Sequence, residues 1–344
     1  MGVQRIGYID ALRGFSMILV IYYHVIDHCF LLKYIGFNSV FLLFLMPLFF
    51  FISGFVFYKT DRHWNFHTLK DFISKKFIFQ IIPTAIFLCV FLYLNHAIEW
   101  SSFGTFKSGY WFTLILFEYF LFYCIFAFIL QGVMHVIWGE IILLVFALFI
   151  SLLGFYYIDY YPYIGWFKPV GELIDALNWR YFLFFCVGAL IRKYFTRFQT
   201  VIDNQYLMAL ILCVFGFLSN VAINNKLAET NFVYFFFCGL LGIIIVFSFF
   251  RKYSSCFAKE NKLGCCLQYV GRRTLDIYLL HFFFLPTNLN HIGLYLAQHS
   301  NSVIDFFLTL VLSILVLCIV LVVSNIIRLS PFLAHYMFGV KRES

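Results

Sequence analysis

Charged residues are scarce in this chain of 344 residues: Asp, Glu, Lys and Arg make up 12% of it, and hydrophobic residues 63%. Ordinary soluble domains have roughly a quarter charged and about half apolar residues. A soluble fold has too little interior to hide so many Phe, Leu and Ile side chains, and its surface needs more charge. A lipid bilayer removes both constraints, so the composition excludes a soluble globular protein and predicts membrane helices.

Metal-binding cysteine patterns are also missing. The ten cysteines show no Cys-x-x-Cys or Cys/His ligand spacing, and Cys265-Cys266 is too short a pair to supply a ligand set. We therefore expect reduced cysteines and no metal. The net charge of +8 comes from Lys and Arg in short gaps between apolar runs, so we expect no nucleic-acid partner. Because the first apolar segment is long and contains Asp10 and Arg13, we also expect no cleavable signal peptide.

Apolar runs long enough to cross a hydrocarbon core of about 30 Å recur along the chain. We predict an all-α polytopic membrane bundle of about ten transmembrane helices, forming a single domain over residues 1–344. The predicted spans lie near residues 8–28, 37–58, 77–96, 110–130, 136–155, 179–194, 205–224, 232–250, 274–293 and 303–327. The sixth is short, and Pro286 interrupts the ninth. This map puts 19 of the 24 Lys and Arg residues on one side and 5 on the other, which predicts that both termini are cytoplasmic.

The first predicted span carries an ionisable stripe of five residues: Asp10, Arg13, His24, Asp27 and His28. At about 100° per residue in an α-helix, all five fall within one arc of about 100°. Ionisable groups inside a bilayer cost several kcal/mol, which makes them functional candidates. The stripe therefore predicts a helix that faces a polar cavity on one side only.

Depth along the helix separates the roles of these residues. Arg13 lies near the predicted cytoplasmic entrance, where its fork of N–H donors suits a phosphate or another anion. His24 follows roughly 16 Å deeper, and a histidine there can take a proton from an attacking hydroxyl. Asp27 is placed to orient the His24 ring, or equally to pair with solvent at the outer face. The alternative is a structural role, in which His24 hydrogen-bonds a neighbouring helix and Arg13 anchors the interface.

Other polar residues in apolar surroundings are candidates as well. Glu118 lies about eight residues into a span that begins near Trp111, and it could assist proton transfer, bind an acceptor hydroxyl or pair structurally. Trp111 is a candidate substrate-binding residue. Ser53 ends the second span near the cytosol and is a candidate for binding the acyl donor; the glycine that follows it permits close helix approach.

The ninth span offers a second group of candidates. Arg272 and Arg273 precede it and could hold phosphates, although positive-inside anchoring explains them equally well. Tyr278 and His281 follow three residues apart, so they face one side of a helix and could line the cavity.

Taken together, these motifs resemble the acyltransferase-3 family of bacterial membrane acyltransferases. The matching segments are Tyr8-Ile9-Asp10-Ala11-Leu12-Arg13-Gly14 followed by His24, Pro47-Leu48-Phe49-Phe50-Phe51-Ile52-Ser53-Gly54-Phe55, Trp111-Phe112 with Glu118, and Leu275-Asp276-Ile277-Tyr278-Leu279-Leu280-His281. The Asp-x-Leu-Arg-Gly block with its histidine is fairly specific, and the motifs together cover nearly the whole chain.

The resemblance implies a ten-helix enzyme of the bacterial inner membrane that takes an acyl group, most often acetyl, from cytosolic acyl-CoA. The group passes to a hydroxyl of a glycan, a lipid-linked sugar or another envelope molecule. By this likeness Arg13 and His24 are the essential pair. Only about 17 residues follow the last predicted span, so we expect the chemistry to occur in the membrane domain. Two alternatives stay open: a transporter or flippase of a lipid-linked or polymeric sugar, and a structural or sensory membrane protein.

Overall fold

The computed structural model describes residues 6–31, 38–59, 64–95, 107–130, 137–157, 174–299 and 302–340. In these segments the secondary structure is helical and contains no strand. The result confirms the predicted all-α class, and its physical reason is that a helix satisfies its own backbone hydrogen bonds within lipid. The chain forms two compact units, one of Met1–Ile52 with Phe195–Asn325 and one of Ser53–Tyr194 with Ile326–Ser344.

The first unit, unit 1, contains most of the helices from both ends of the chain. Its helices are α1 (Gly7–His24), most of α2 (Asn38–Phe57), α8 (Phe195–Ile202), α9 (Gln205–Asn224), α10 (Leu227–Thr230), α11 (Phe232–Lys252), α12 (Lys262–Arg272), α13 (Thr274–Leu280), α14 (Asn290–Gln298) and most of α15 (Ser302–Arg328). A π-helical turn, Val25–Cys29, continues α1, and a 3-10 turn, His281–Phe284, continues α13. The asparagines that precede α9 and α11 cap them, since each side chain accepts a hydrogen bond from a first-turn N–H.

The second unit, unit 2, contains the middle of the chain and its C-terminal helix. Its complete helices are α3 (Phe66–Lys76), α4 (Ile82–Leu94), α5 (Trp111–Ile129), α6 (Ile137–Phe155), α7 (Phe182–Lys193) and α16 (Pro331–Phe338). A π-helical turn, Phe77–Ile81, joins α3 to α4, and 3-10 turns Lys107–Gly109 and Ala176–Tyr181 precede α5 and α7.

In the described segments, eight helices are long and apolar enough to cross a membrane, judged by length and composition. They are Gly7–Cys29, Ser39–Phe57, Phe66–Leu94, Trp111–Ile129, Trp138–Phe155, Gln205–Asn224, Phe232–Lys252 and Val303–Arg328. Each corresponds to one predicted span, and the protein is therefore a multi-pass membrane protein. The third begins earlier than predicted, because the polar helix α3 runs through a π-helical turn into the apolar α4 without a break.

The sixth and ninth predicted spans are built from shorter pieces. The sixth consists of a 3-10 turn followed by the 12-residue α7. The ninth contains α13 and its 3-10 turn, which ends at Phe284; Leu285 then adopts an extended conformation. A proline disfavours the helical conformation of the residue before it, and so the predicted interruption at Pro286 is confirmed.

Two glycines allow a close helix contact in unit 1, between α1 and α12. A Cβ atom on Gly14 would lie 2.0 Å from the carbonyl oxygen of Leu267, and one on Gly271 would lie 1.8 Å from that of Asp10. Both obstacles are backbone atoms, so no side chain larger than hydrogen fits at either position. The two helices therefore pack backbone against backbone, which places Arg13 close to the end of α12.

Candidate active site

Three histidines from two distant parts of the sequence lie together in unit 1. His24 ends α1, His28 lies in the following π-helical turn, and His281 follows α13. The ring centroid of His24 is 5.2 Å from that of His28 and 5.0 Å from that of His281. The Phe282 ring packs against this group, 4.7 Å from His24 and 4.2 Å from His281 between centroids. The ionisable part of the first span therefore meets the 3-10 turn that follows α13, ahead of the interruption in the ninth span.

His281 is fully buried, and its hydrogen bonds fix its orientation. Its Nδ1 atom lies 2.7 Å from the carbonyl oxygen of Tyr278 and 3.1 Å from that of Ile277. A carbonyl oxygen only accepts hydrogen bonds, so Nδ1 carries the hydrogen, and Nε2 of the neutral ring is left as an acceptor. Tyr278 itself is buried, with its ring centroid 6.0 Å from that of His281. The structure thus places these two predicted residues together, as their spacing indicated.

The end of the ionisable stripe differs from the prediction because the helix changes type. The angles assigned to Asp27 and His28 assumed a regular α-helix, but residues Val25–Cys29 form a π-helical turn, which has a different angle per residue. A carboxylate oxygen of Asp27 lies 3.2 Å from Nδ1 of His28, and both side chains are partly exposed. Asp27 therefore contacts His28, and no hydrogen bond joins it to His24 among the described residues.

Arg13 contacts the start of the short helix that leads to His281. Its Nη2 atom donates a hydrogen bond of 2.9 Å to Oγ1 of Thr274, the first residue of α13. The close packing of α1 and α12 explains this contact, since Thr274 follows the end of α12 by two residues. Arg13 is half-buried.

The two arginines between α12 and α13 have different surroundings. Arg272 is exposed. Arg273 donates a hydrogen bond of 3.1 Å to Ser324, whose hydroxyl in turn donates one of 2.6 Å to the buried carboxylate of Asp276. Arg273 also lies 3.5 Å from that carboxylate, and its guanidinium stacks on the ring of Tyr269. The structure therefore engages Arg273 inside the protein and leaves Arg272 as the accessible member of the pair.

Glu118 and Trp111 belong to α5 of unit 2. A carboxylate oxygen of Glu118 accepts a hydrogen bond of 2.8 Å from the indole N–H of Trp179. Trp111 is half-buried and stacks on Tyr181, with ring centroids 6.3 Å apart and planes 19° apart. Glu118 and Trp111 thus each contact an aromatic residue at the start of the sixth predicted span.

Ser53 is half-buried in α2 and lies beside a tight helix crossing of unit 2. A Cβ atom on the neighbouring Gly54 would lie 1.9 Å from the carbonyl oxygen of Phe185, so only glycine allows this approach. The close packing predicted at Gly54 is confirmed.

Sequence reasoning missed four residues that complete these groups: Thr274, Phe282, Ser324 and Trp179. Thr274 directly follows the arginine pair, which was a local signal of a contact at that point. The other three are ordinary residues for a membrane helix or its interface, so only their partners in space mark them. No three His, Cys, Asp or Glu side chains in the described segments are arranged to hold a metal ion.

These observations define a multi-pass helical membrane protein. A cluster of three histidines lies where its first span meets its interrupted ninth span. Comparison with protein families then identifies it further. Residues 6–323 match the acyltransferase-3 family, which is described as an acyltransferase domain. The match covers nearly the whole chain, so the protein belongs to this family and is a membrane acyltransferase. Searches of curated proteins and of solved structures found no match.

Proposed function

We propose that the protein transfers an acyl group, most often acetyl, from cytosolic acyl-CoA to a hydroxyl of a cell-envelope glycan or lipid-linked sugar in the bacterial inner membrane. The family supports acyl transfer in general. The proposed reaction rests on the surroundings of His24. This residue lies in a membrane span, and its Nδ1 atom is buried without a hydrogen-bond partner among the described residues. A histidine held so is available for proton transfer or for covalent chemistry.

In the proposed reaction, His24 acts as the general base on the acceptor. The hydroxyl proton moves to a ring nitrogen of His24 while the hydroxyl oxygen attacks the thioester carbonyl carbon. The carbon–sulfur bond then breaks, and the departing thiolate of coenzyme A takes the proton back from His24. The products are the acylated acceptor and free coenzyme A, and no metal or redox partner is needed for the balance.

The donor is proposed to enter at the end of the site where Arg13 and Arg272 lie. A guanidinium donates two parallel hydrogen bonds to a phosphate, and the phosphates of coenzyme A provide several such groups. Arg272 is exposed, and Arg13 is half-buried next to Thr274. With both termini in the cytosol, as the distribution of Lys and Arg predicts, this end of α1 faces the side where acyl-CoA is present.

The experiment compares cell-surface glycans by mass spectrometry in cells that lack the protein and in cells that express it or its variants. We expect the acylated glycan to depend on the protein and to disappear with His24→Ala, since a general base contributes about 10²- to 10⁴-fold in rate. His299→Ala is the control, because this exposed histidine lies outside the group of His24, His28 and His281.

A second assay follows the release of coenzyme A from labelled acetyl-CoA by the purified protein with a glycan acceptor. Full activity of His24→Ala in this assay would contradict the proposed mechanism. Movement of labelled sugar into liposomes without any acyl donor would instead favour a transporter.

A further inference from the structure

The neighbouring rings of His24 and His281 each have a buried nitrogen without a hydrogen-bond partner among the described residues. The Nε2 atom of His281 is buried and has no hydrogen-bond partner among the described residues, and the same holds for Nδ1 of His24. His281 already donates from Nδ1 to the carbonyl oxygen of Tyr278, so its Nε2 atom presents a lone pair. A buried acceptor without a partner is unfavourable, and the group that would satisfy it is an N–H or O–H donor.

His24 supplies such a donor at a suitable distance. A linear N–H···N hydrogen bond of about 2.9 Å, with a ring radius added at each end, requires centroids roughly 5 Å apart. The centroids of His24 and His281 are 5.0 Å apart. Catalytic hydrogen bonds are often long or misaligned in the absence of substrate and tighten in the complex. The spacing of the two centroids is compatible with this hydrogen bond once the rings reorient.

The surroundings favour this pairing over one with Asp27, which the sequence left as one of two alternatives. Asp27 is engaged with His28, and both are partly open to solvent. Phe282 instead packs against the rings of both His24 and His281, where its apolar ring excludes water. A hydrogen bond in this drier place is stronger than the same bond in water.

We propose that His281 is the positioning residue of His24. Its Nε2 atom accepts the hydrogen from Nδ1 of His24, which fixes the tautomer in which Nε2 of His24 carries the lone pair that acts on the acceptor. The chain of hydrogen bonds runs from His24 to His281 and ends at the carbonyl oxygen of Tyr278. When His24 takes up the acceptor proton, its Nδ1–H bond becomes charge-assisted and strengthens. This inference rests on the proposed function, because it assigns His24 the role of base.

The kinetic test compares His281→Leu and His281→Gln in the full-length protein, with acetyl-CoA and the glycan acceptor. Leucine removes the acceptor, and we expect kcat to fall about 10²- to 10⁴-fold with KM for acetyl-CoA changed less than about 3-fold, as for loss of a residue that orients a catalytic histidine. The carboxamide oxygen of glutamine reaches the position of Nε2 and should restore most of the loss. His299→Gln is the control, because this exposed histidine lies outside the histidine cluster, and it should keep wild-type kcat.

The outcomes separate the two proposals. If the wild-type protein does not turn over acetyl-CoA, the proposed function fails. If it does and His281→Leu keeps wild-type kcat, or if glutamine is as inactive as leucine, the positioning role is overturned while the function stands.

A structural readout covers the case in which His281→Leu does not fold. The ¹⁵N signals of histidine-labelled protein report the tautomer of each ring, and comparison with His24→Gln assigns the His24 signals. We expect His24 to carry its hydrogen on Nδ1 in the wild type and in His281→Gln. A wild-type His24 with its hydrogen on Nε2 would overturn the inference whatever the activity.

Discussion

The guanidinium of Arg13 donates a hydrogen bond of 2.9 Å to the hydroxyl of Thr274, across 261 positions of the chain. Thr274 begins α13, and His281 directly follows that helix. His281 in turn lies against His24, which ends the helix that carries Arg13. The Arg13–Thr274 contact and the His24–His281 contact therefore join α1 and α13 at both ends. A change at either contact should affect the other.

The glycine contact between α1 and α12 should be intolerant of even one methyl group. Gly14→Ala would place its Cβ 2.0 Å from a backbone oxygen of Leu267, so the helices must separate. We expect a loss of about 1–3 kcal/mol in unfolding free energy, with lower activity because Arg13 moves away from Thr274. Thermal unfolding of the detergent-purified variants measures the stability.

The matched control for this prediction is Gly216→Ala in α9, where an added Cβ meets nothing within 4 Å. Alanine in an open helical position gains about 0.5–1 kcal/mol over glycine. If Gly14→Ala unfolds at the same temperature as Gly216→Ala, the close packing described for α1 and α12 is wrong.

Arg272 and Arg273 should separate into a ligand-contacting and a structural arginine. Arg273→Ala removes a donor from the buried group of Ser324 and Asp276, so we expect a loss of about 1–3 kcal/mol in stability. Arg272 is exposed, and Arg272→Ala should change stability by less than about 0.5 kcal/mol. If Arg272 contacts the phosphates of coenzyme A, this variant should raise KM for acetyl-CoA with little change in kcat.

The salt dependence of that KM is the further check. An exposed contact to phosphate weakens as salt screens it, so the difference between wild type and Arg272→Ala should shrink from low to high ionic strength. An unchanged KM for Arg272→Ala at low salt would remove Arg272 from the donor site.

Glu118 can be tested for a catalytic role apart from its structural one. Glu118→Gln keeps an oxygen that accepts the hydrogen bond from Trp179 but loses the acid function. If Glu118 takes part in proton transfer, kcat should fall at least about 10-fold with little loss of stability. If it only pairs with Trp179, kcat should stay at the wild-type value.

Trp179→Phe is the complementary variant. It leaves a carboxylate oxygen of Glu118 without its indole donor, and we expect a loss of about 1–3 kcal/mol in unfolding free energy. A melting temperature equal to that of the wild type would show that this hydrogen bond contributes nothing to stability.

The ion pair of Asp203 and Arg251 predicts a small pH dependence of stability. Arg251 donates two hydrogen bonds to the Asp203 carboxylate, of 3.1 and 2.8 Å, and these lower the pKa of Asp203. A lowered folded-state pKa stabilises the protein above the unfolded-state pKa of about 3.9 and ceases to do so as the pH falls through the folded-state value. Because Asp203 is exposed, we expect no more than about 1 kcal/mol.

The measurement is the melting temperature of wild type and Asp203→Asn at neutral pH and at a pH below the folded-state pKa of Asp203. The wild type should be slightly more stable at neutral pH, and the two proteins should converge in acid. A difference that persists unchanged in acid would mean that the contribution of Asp203 does not come from its charge.

The sequence alone determined the class of the protein, most of its helix map and its family. Hydropathy is a local property, and the bilayer imposes a fixed length on each span, so eight of the predicted spans appear as long apolar helices. Proline and glycine act locally too, which is why the break at Pro286 and the close approach at Gly54 followed from their positions. The stripe from Arg13 to His24 also needed only the regular spacing of an α-helix.

The tertiary structure decided which of the candidates meet. Nothing in the spacing of Asp27 indicated the π-helical turn that leaves it paired with His28. The His281 ring that neighbours His24 comes from the other end of the chain, because the glycine contact between α1 and α12 brings α13 alongside α1. Such pairings depend on packing between distant segments, and local patterns of hydropathy and spacing carry no information about it. The sequence thus named His24 and His281 separately, and the structure made them a pair.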